Sequence, residues 1–269
     1  MIIHKFCRLD DGRSVSYRAG GDGPVLVLLH GWGMSSLVFS PLMQRLSCCR
    51  RIIAPDLRGH GHSHGGPGYA LGDFAADIEQ CLNLAGAEEI ALLGWSLGGM
   101  VALEMVERLG ERLKKLILVS TTPCFVQRDG WPHGQPASRV NALSRRFRRD
   151  PAAALEGFFL QQFDGETKQG PLIQTCKHEL FDLAPLPLAS AGLGGLSTLC
   201  DADLRELSPR CLPTLIMHGR CDAIIPPAAG EYLARRLPEA QWKLLDGVGH
   251  APFIGRLDFC ADILADFLI

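Results

Sequence analysis

The stretch Gly94–Trp95–Ser96–Leu97–Gly98, followed by Gly99, constrains this chain more than any other. Four apolar residues, Ile90–Leu93, run into it with the continuous character of a buried strand. The residues after it, from Met100 to Leu103, are apolar again but read as helix. A G-x-S-x-G pattern between a strand and a helix is a nucleophile elbow. The turn is so sharp that side chains two positions before and after the serine would collide, so Gly94 and Gly98 are required there. Its strain lifts the Ser96 hydroxyl above the sheet, and the helix that follows directs its amide dipoles toward that hydroxyl. The bland alternative is a glycine-rich turn that only packs tightly. The strand–helix context is what separates the two.

The rest of the chain supplies the sheet that such an elbow needs. Val25–His30, Arg51–Asp56, Ile90–Trp95, Lys115–Ser120, Thr214–Gly219 and Trp242–Gly247 read as strands, several of them unbroken apolar runs covered on both faces. Amphipathic segments lie between them, among them Leu71–Gly86, Ala228–Glu239 and Arg256–Ile269. Strand alternating with helix predicts an α/β, doubly wound and mostly parallel sheet with helices on both faces. Near the start, two short runs flank Asp11–Gly12, which predicts an antiparallel hairpin ahead of the parallel strands. The rhythm breaks between residues 121 and 207, where no good strand occurs. Residues 144–163 and 171–188 read as helices there, and the Pro, Gly and Ser content of 184–196 as a loop between helical segments. The expected organisation is a core of residues 1–120 and 208–269, with 121–207 inserted as a helical lid.

A serine hydroxyl is a poor nucleophile at neutral pH and needs a base. The chain has nine histidines. His60, His62 and His64 crowd a glycine-rich loop, whose flexibility argues against a fixed metal geometry. His250, in Asp246–Phe253, follows the last predicted strand and precedes the last helix, where a triad base belongs. The acid is expected after the penultimate strand, and Asp222 stands there. Such a carboxylate fixes the tautomer of the imidazole and stabilises its protonated form. Asp246 is the rival, but it lies too close to His250 along the chain. The oxyanion needs two amide donors. Leu97, just after the nucleophile, supplies one, and Trp32, after the bend at His30–Gly31, supplies the other. The Trp32 ring can also wall an acyl pocket.

These residues together resemble the α/β-hydrolase superfamily, carried by HGWG, DLRGHGHS, GWSLGG, GRCDAIIP and GHAPF in that order across nearly the whole chain. The resemblance implies the α/β-hydrolase fold, and it assigns DLRGHGHS to a structural turn without catalysis. The tryptophans flanking the site, Trp32 and Trp95, and the stretch Ser120–Pro132 look like the pimeloyl-[acyl-carrier protein] methyl ester esterases of biotin synthesis. That resemblance implies a carboxylesterase that needs no cofactor and no metal, acting on an acyl-carrier protein that bears pimeloyl methyl ester. It also implies that Phe158, Phe159, Leu160, Gln161 and Gln162 line the acyl chain, with Trp32, Ser96, Leu97 and His250 around the ester.

A carrier partner has a physical argument of its own. Acyl-carrier proteins are acidic, and Arg145, Arg146, Arg148 and Arg149 put four positive charges within five residues of the insertion. Lys168 and Lys177 follow. Four such residues on a helix cannot share one face, so part of the run must meet solvent. It is either a solvated basic face or a steering patch for an acidic partner. A net charge of −2 argues against nucleic acid as that partner. No apolar run reaches the ~18 residues of a spanning helix, and the first residues do not read as a secretory signal. A cytoplasmic monomer with reduced thiols is expected. The ten cysteines form no CxxC pair, and the vicinal Cys48–Cys49 is the one candidate for redox chemistry. Two other functions stay open. One is a broad short-chain carboxylesterase without a carrier, and the other is a non-catalytic receptor on the same scaffold.

Overall fold

The computed structural model describes residues 1–166, 170–206 and 210–269. Eight strands build one sheet: β1 (Ile3–Arg8), β2 (Ser14–Gly20), β3 (Val25–Leu29), β4 (Arg51–Pro55), β5 (Ile90–Trp95), β6 (Leu113–Val119), β7 (Thr214–Gly219) and β8 (Ala240–Leu245). Their order is β1-β2-β4-β3-β5-β6-β7-β8. The hairpin at Asp11–Gly12 joins β1 and β2, and β2 runs antiparallel to β4. All other pairings are parallel. The fold is therefore the expected α/β-hydrolase sheet with an antiparallel start.

Ten α-helices accompany the sheet among the described residues. They are α1 (Ser40–Leu46), α2 (Leu71–Leu84), α3 (Leu97–Leu109), α4 (Ala137–Arg149), α5 (Pro151–Gln161), α6 (Pro171–Phe181), α7 (Ala189–Asp201), α8 (Pro227–Arg236), α9 (Pro252–Gly255) and α10 (Leu257–Leu268). Alternate residues of a strand serve opposite faces. In β3, Val27 and Leu29 pack with Phe74 and Ile78 of α2 and Met100 of α3. Leu26 and Leu28 pack with Leu42 of α1 and Leu264 of α10. Because β3 and β5 are buried on both faces, they read as unbroken apolar runs in sequence.

Helices α4–α7 stand between β6 and β7, where the lid is expected. The boundary expected at 207/208 lies outside the described residues, as does Lys168. Two expectations need correction. Residues 144–163 hold the end of one helix and the whole of another, because Pro151 cannot donate to a continuing helix and Asp150 caps the new one by accepting from the Ala153 amide. The expected loop at 184–196 is a loop only up to Leu188, after which α7 begins. Its glycines serve close packing. A Cβ added at Gly192 would stand 2.1 Å from the Phe147 ring, and one at Gly195 would stand 2.8 Å from Trp32.

Candidate active site

Ser96 sits between β5 and α3 with φ 57° and ψ −119°, a conformation that costs an L-residue free energy. The surrounding contacts enforce it. Its amide donates to the Val119 carbonyl at 3.0 Å, and its carbonyl accepts from Thr121 Oγ1 at 2.7 Å. A Cβ at Gly94 would stand 2.3 Å from the Gly98 carbonyl oxygen, and one at Gly98 would stand 2.2 Å from that of Leu29. These are the collisions that exclude side chains from both positions.

His250 is fully buried in the loop between β8 and α9. Its Nδ1 lies 2.8 Å from Asp222 Oδ2. A carboxylate accepts, so Nδ1 carries the proton and Nε2 is left as the acceptor. That Nε2 is buried without a hydrogen-bond partner. The Ser96–His250 hydrogen bond is not formed in this structure. The two residues are tied through Trp95, whose Nε1 donates to the His250 carbonyl at 2.8 Å. Apo catalytic contacts often tighten only when substrate arrives.

Asp222 follows β7 and is 8% exposed. Its Oδ1 accepts from the amides of Ile224 and Ile225 at 2.8 and 2.9 Å. Burial on its own pushes this carboxyl up. The opposing pull of His250, with hydrogen bonds from His218 and His250, holds it well below the usual carboxylate range. Asp246, the rival acid, is paired with Arg220 at the surface.

The amides of Trp32 and Leu97 donate to no acceptor among the described residues. Gly31 brings the Trp32 loop against Ser96, since a Cβ there would stand 3.2 Å from Ser96 Cβ. Two buried histidines brace this loop, and the sequence did not reveal them as such. His30 Nε2 accepts from the Leu57 amide at 2.9 Å, so its Nδ1 donates to the Gly31 carbonyl at 2.8 Å. That carbonyl belongs to the same peptide unit as the Trp32 amide, so its direction sets the direction of the N–H. His60 Nε2 accepts from the Gly33 amide at 3.3 Å, and its Nδ1 donates to the Arg58 carbonyl at 3.0 Å. Burial lowers both imidazoles, His60 to about 3. No group of three or more His, Cys, Asp or Glu among the described residues is placed to hold a metal ion.

A cavity of about 270 Å³ opens at Ser96. Trp32, Phe125, Val140, Leu143, Phe158, Leu196 and Ile224 make its wall apolar, with Gln161 and Gln135 among the polar exceptions. Of the five residues expected to line an acyl chain, only Phe158 and Gln161 reach this cavity. Residues three apart share a helix face, and five consecutive ones cannot. Phe159 instead packs on Phe163 and Phe181, and Leu160 is exposed. Gln162 is buried with its amide unpartnered, while its carbonyl accepts from the His250 amide at 2.7 Å.

Arg145, Arg146, Arg148 and Arg149 are all exposed on α4, with Phe147 between them turned into the core. Arg146 and Arg139 also line the cavity, which joins buried Ser96 to a basic surface. Lys177 is paired with Glu156. No helix among the described residues is long and apolar enough to cross a membrane.

The chain is similar to known proteins. A family model described as the alpha/beta hydrolase fold matches residues 24–257. A pimeloyl-[acyl-carrier protein] methyl ester esterase from Aromatoleum aromaticum is 37% identical over 249 residues, covering 90% of this chain and 97% of the relative. Another of that name, from Aeromonas hydrophila, is 36% identical over 258 residues, or 95% and 99% of the two chains. Among solved structures, an esterase from Exiguobacterium antarcticum superposes with a TM-score of 0.90 at 28% identity, covering 98% of this chain and 99% of its own.

Proposed function

The chain belongs to the α/β-hydrolase fold family and, within it, to the pimeloyl-[acyl-carrier protein] methyl ester esterases, and from that premise we propose a serine carboxylesterase of biotin synthesis. Its substrate is pimeloyl methyl ester carried on acyl-carrier protein, and its products are methanol and the free carboxylate. One observation supports this reading above the others: the apolar cavity that holds Ser96 is also lined by Arg146 of the exposed basic run. An apolar chain can lie in such a cavity while its acidic carrier rests on α4.

In this reading His250 Nε2 takes the proton of Ser96 Oγ as that oxygen attacks the ester carbonyl. Asp222 stabilises the imidazolium through Nδ1. The Trp32 and Leu97 amides receive the oxyanion, each donor contributing roughly 2.7–4 kcal/mol to the barrier reduction. The imidazolium returns its proton to the departing methoxide, which leaves as methanol. Water then attacks the acyl-enzyme by the same route and restores Ser96. Helices α4–α7 act as the lid, and the arginines of α4 steer the carrier.

Methanol release from the carrier-bound ester and from the free ester tests the proposal. The carrier-bound form is expected to have the higher kcat/KM. That advantage should fall as salt rises from ~50 to ~300 mM, because screening shortens the reach of exposed charges. Replacing Ser96 by Ala should lower turnover by about 10⁴-fold or more. A joint Arg145→Ala, Arg146→Ala, Arg149→Ala variant that kept the full carrier advantage would remove the basic patch from the account. The likeness to a solved bacterial esterase favours a second reading, a broad carboxylesterase without a carrier. Equal turnover of the two esters would select it.

A further inference from the structure

The acid of the triad serves two imidazoles. Asp222 Oδ2 lies 2.8 Å from His250 Nδ1 and 3.0 Å from His218 Nε2. His218 stands in β7 and is completely buried. Its Nε2 also lies 2.9 Å from the Ile225 carbonyl. A carbonyl and a carboxylate can only accept, so Nε2 carries the proton. The opposite atom, Nδ1, has no partner. It faces α8 so closely that a Cβ at Gly230 would stand 2.6 Å from it. An N–H at Nδ1 would find no acceptor there, so the ring is locked in one tautomer. The Trp242 ring of β8, which is uncharged, packs beside it.

We propose that His218 is a positioning residue for the esterase reaction, which orients Asp222 and moderates its hold on His250 by sharing the same carboxylate oxygen. An oxygen that accepts two N–H donors is a weaker acceptor for each. The imidazolium formed at His250 is therefore less stabilised than with an unshared aspartate. The same contact stops the carboxylate from rotating, since Oδ1 is already held by two amides. His218 and His250 are the charged or titratable groups that act on Asp222. On its far side, the His250 loop meets Glu166, which accepts from the Gly249 amide at 2.9 Å and is faced in turn by Arg256. Neither changes in the variants below.

The inference rests on the triad reading but not on the carrier, so the test uses p-nitrophenyl acetate. The pH dependence of kcat/KM is measured for the native enzyme, His218→Leu and His218→Gln, with active sites counted by a fluorophosphonate label. Gln places an amide nitrogen where Nε2 was, and Leu removes the donor. The acid limb of the Leu variant is expected to move up by about half a pH unit or more, while the Gln variant stays near the native position. If Leu prevents folding, His218→Asn replaces it, because its amide reaches the Nδ1 position only. An unmoved acid limb in the donor-less variant overturns the proposal, as does a Gln variant that shifts as far. Native-level turnover in Ser96→Ala would instead overturn the triad reading itself, whatever His218 does.

Discussion

Closely packed backbone at Gly94 and Gly98 holds Ser96 in its positive-φ conformation. The closest approach is at Gly98, where a Cβ would stand 2.2 Å from the Leu29 carbonyl oxygen and 2.6 Å from that of His30. Neither oxygen belongs to a flexible side chain, so neither can yield cheaply. Gly98→Ala is expected to lower stability by about 1–3 kcal/mol, the usual cost of overpacking. It should also push the Trp32 loop away from Ser96, since His30 begins that loop. Urea unfolding and the rate of fluorophosphonate labelling measure the two effects. A variant with native stability and labelling would show that the elbow relaxes without loss. Much at this scale was legible beforehand. Ser96, Asp222 and His250 each stand beside a strand end that hydropathy alone locates. His30, His60 and His218 were not legible as supports, because a buried histidine looks like any other until its two nitrogens have named partners.

Among the elements, the turn after α5 has a role that its composition hides. Its Gln162 carbonyl and Glu166 carboxylate receive the amides of His250 and Gly249, so the insertion that walls the cavity also fixes the loop of the candidate base. Burial pushes the Glu166 carboxyl up, against the pull of the Gly249 amide and Arg256. One hydrogen bond is worth roughly 1 kcal/mol net. Glu166→Ala is therefore expected to lower kcat several-fold with little change in KM, and Glu166→Gln, which keeps an accepting oxygen, to restore most of it. Steady-state kinetics on a small ester decide this, and an effect confined to KM would refute the clamp. Helix α7 was the element most open to misreading. Residues 184–196 carry two prolines and three glycines, which ordinarily mark loops. Here the glycines let α7 approach Phe147, Tyr69 and Trp32 more closely than a larger side chain would allow. That is a demand of packing between distant segments, and no local pattern announces it.

Across the whole molecule, the buried imidazoles tie stability to pH. His60 titrates near 6.5 in an unfolded chain and is pushed down to about 3 by burial in the fold. Between those values the unfolded chain binds one proton more than the native one, so stability falls as pH falls. His30 shifts in the same direction. Between pH 7 and pH 5, above the range of ordinary carboxylates, unfolding free energy should decline by up to about 1.4 kcal/mol per pH unit for each such group once below 6.5. His60→Gln should flatten that decline, and denaturant unfolding at several pH values measures it. A slope unchanged by the substitution would mean that His60 takes up a proton without unfolding. The sequence by itself determined the alternation of strand and helix, the antiparallel start, the sharp turn at Ser96 and the order of the candidate nucleophile, acid and base along the chain. These are carried by periodicity, by glycine and by position along the chain. Only the tertiary structure decided which residues of α5 reach the cavity, which face of α4 is basic, and which histidines hold the Trp32 loop and Asp222. Those depend on helix rotation and on contacts between segments far apart in sequence, where a single hydrogen-bond partner decides the role of a side chain.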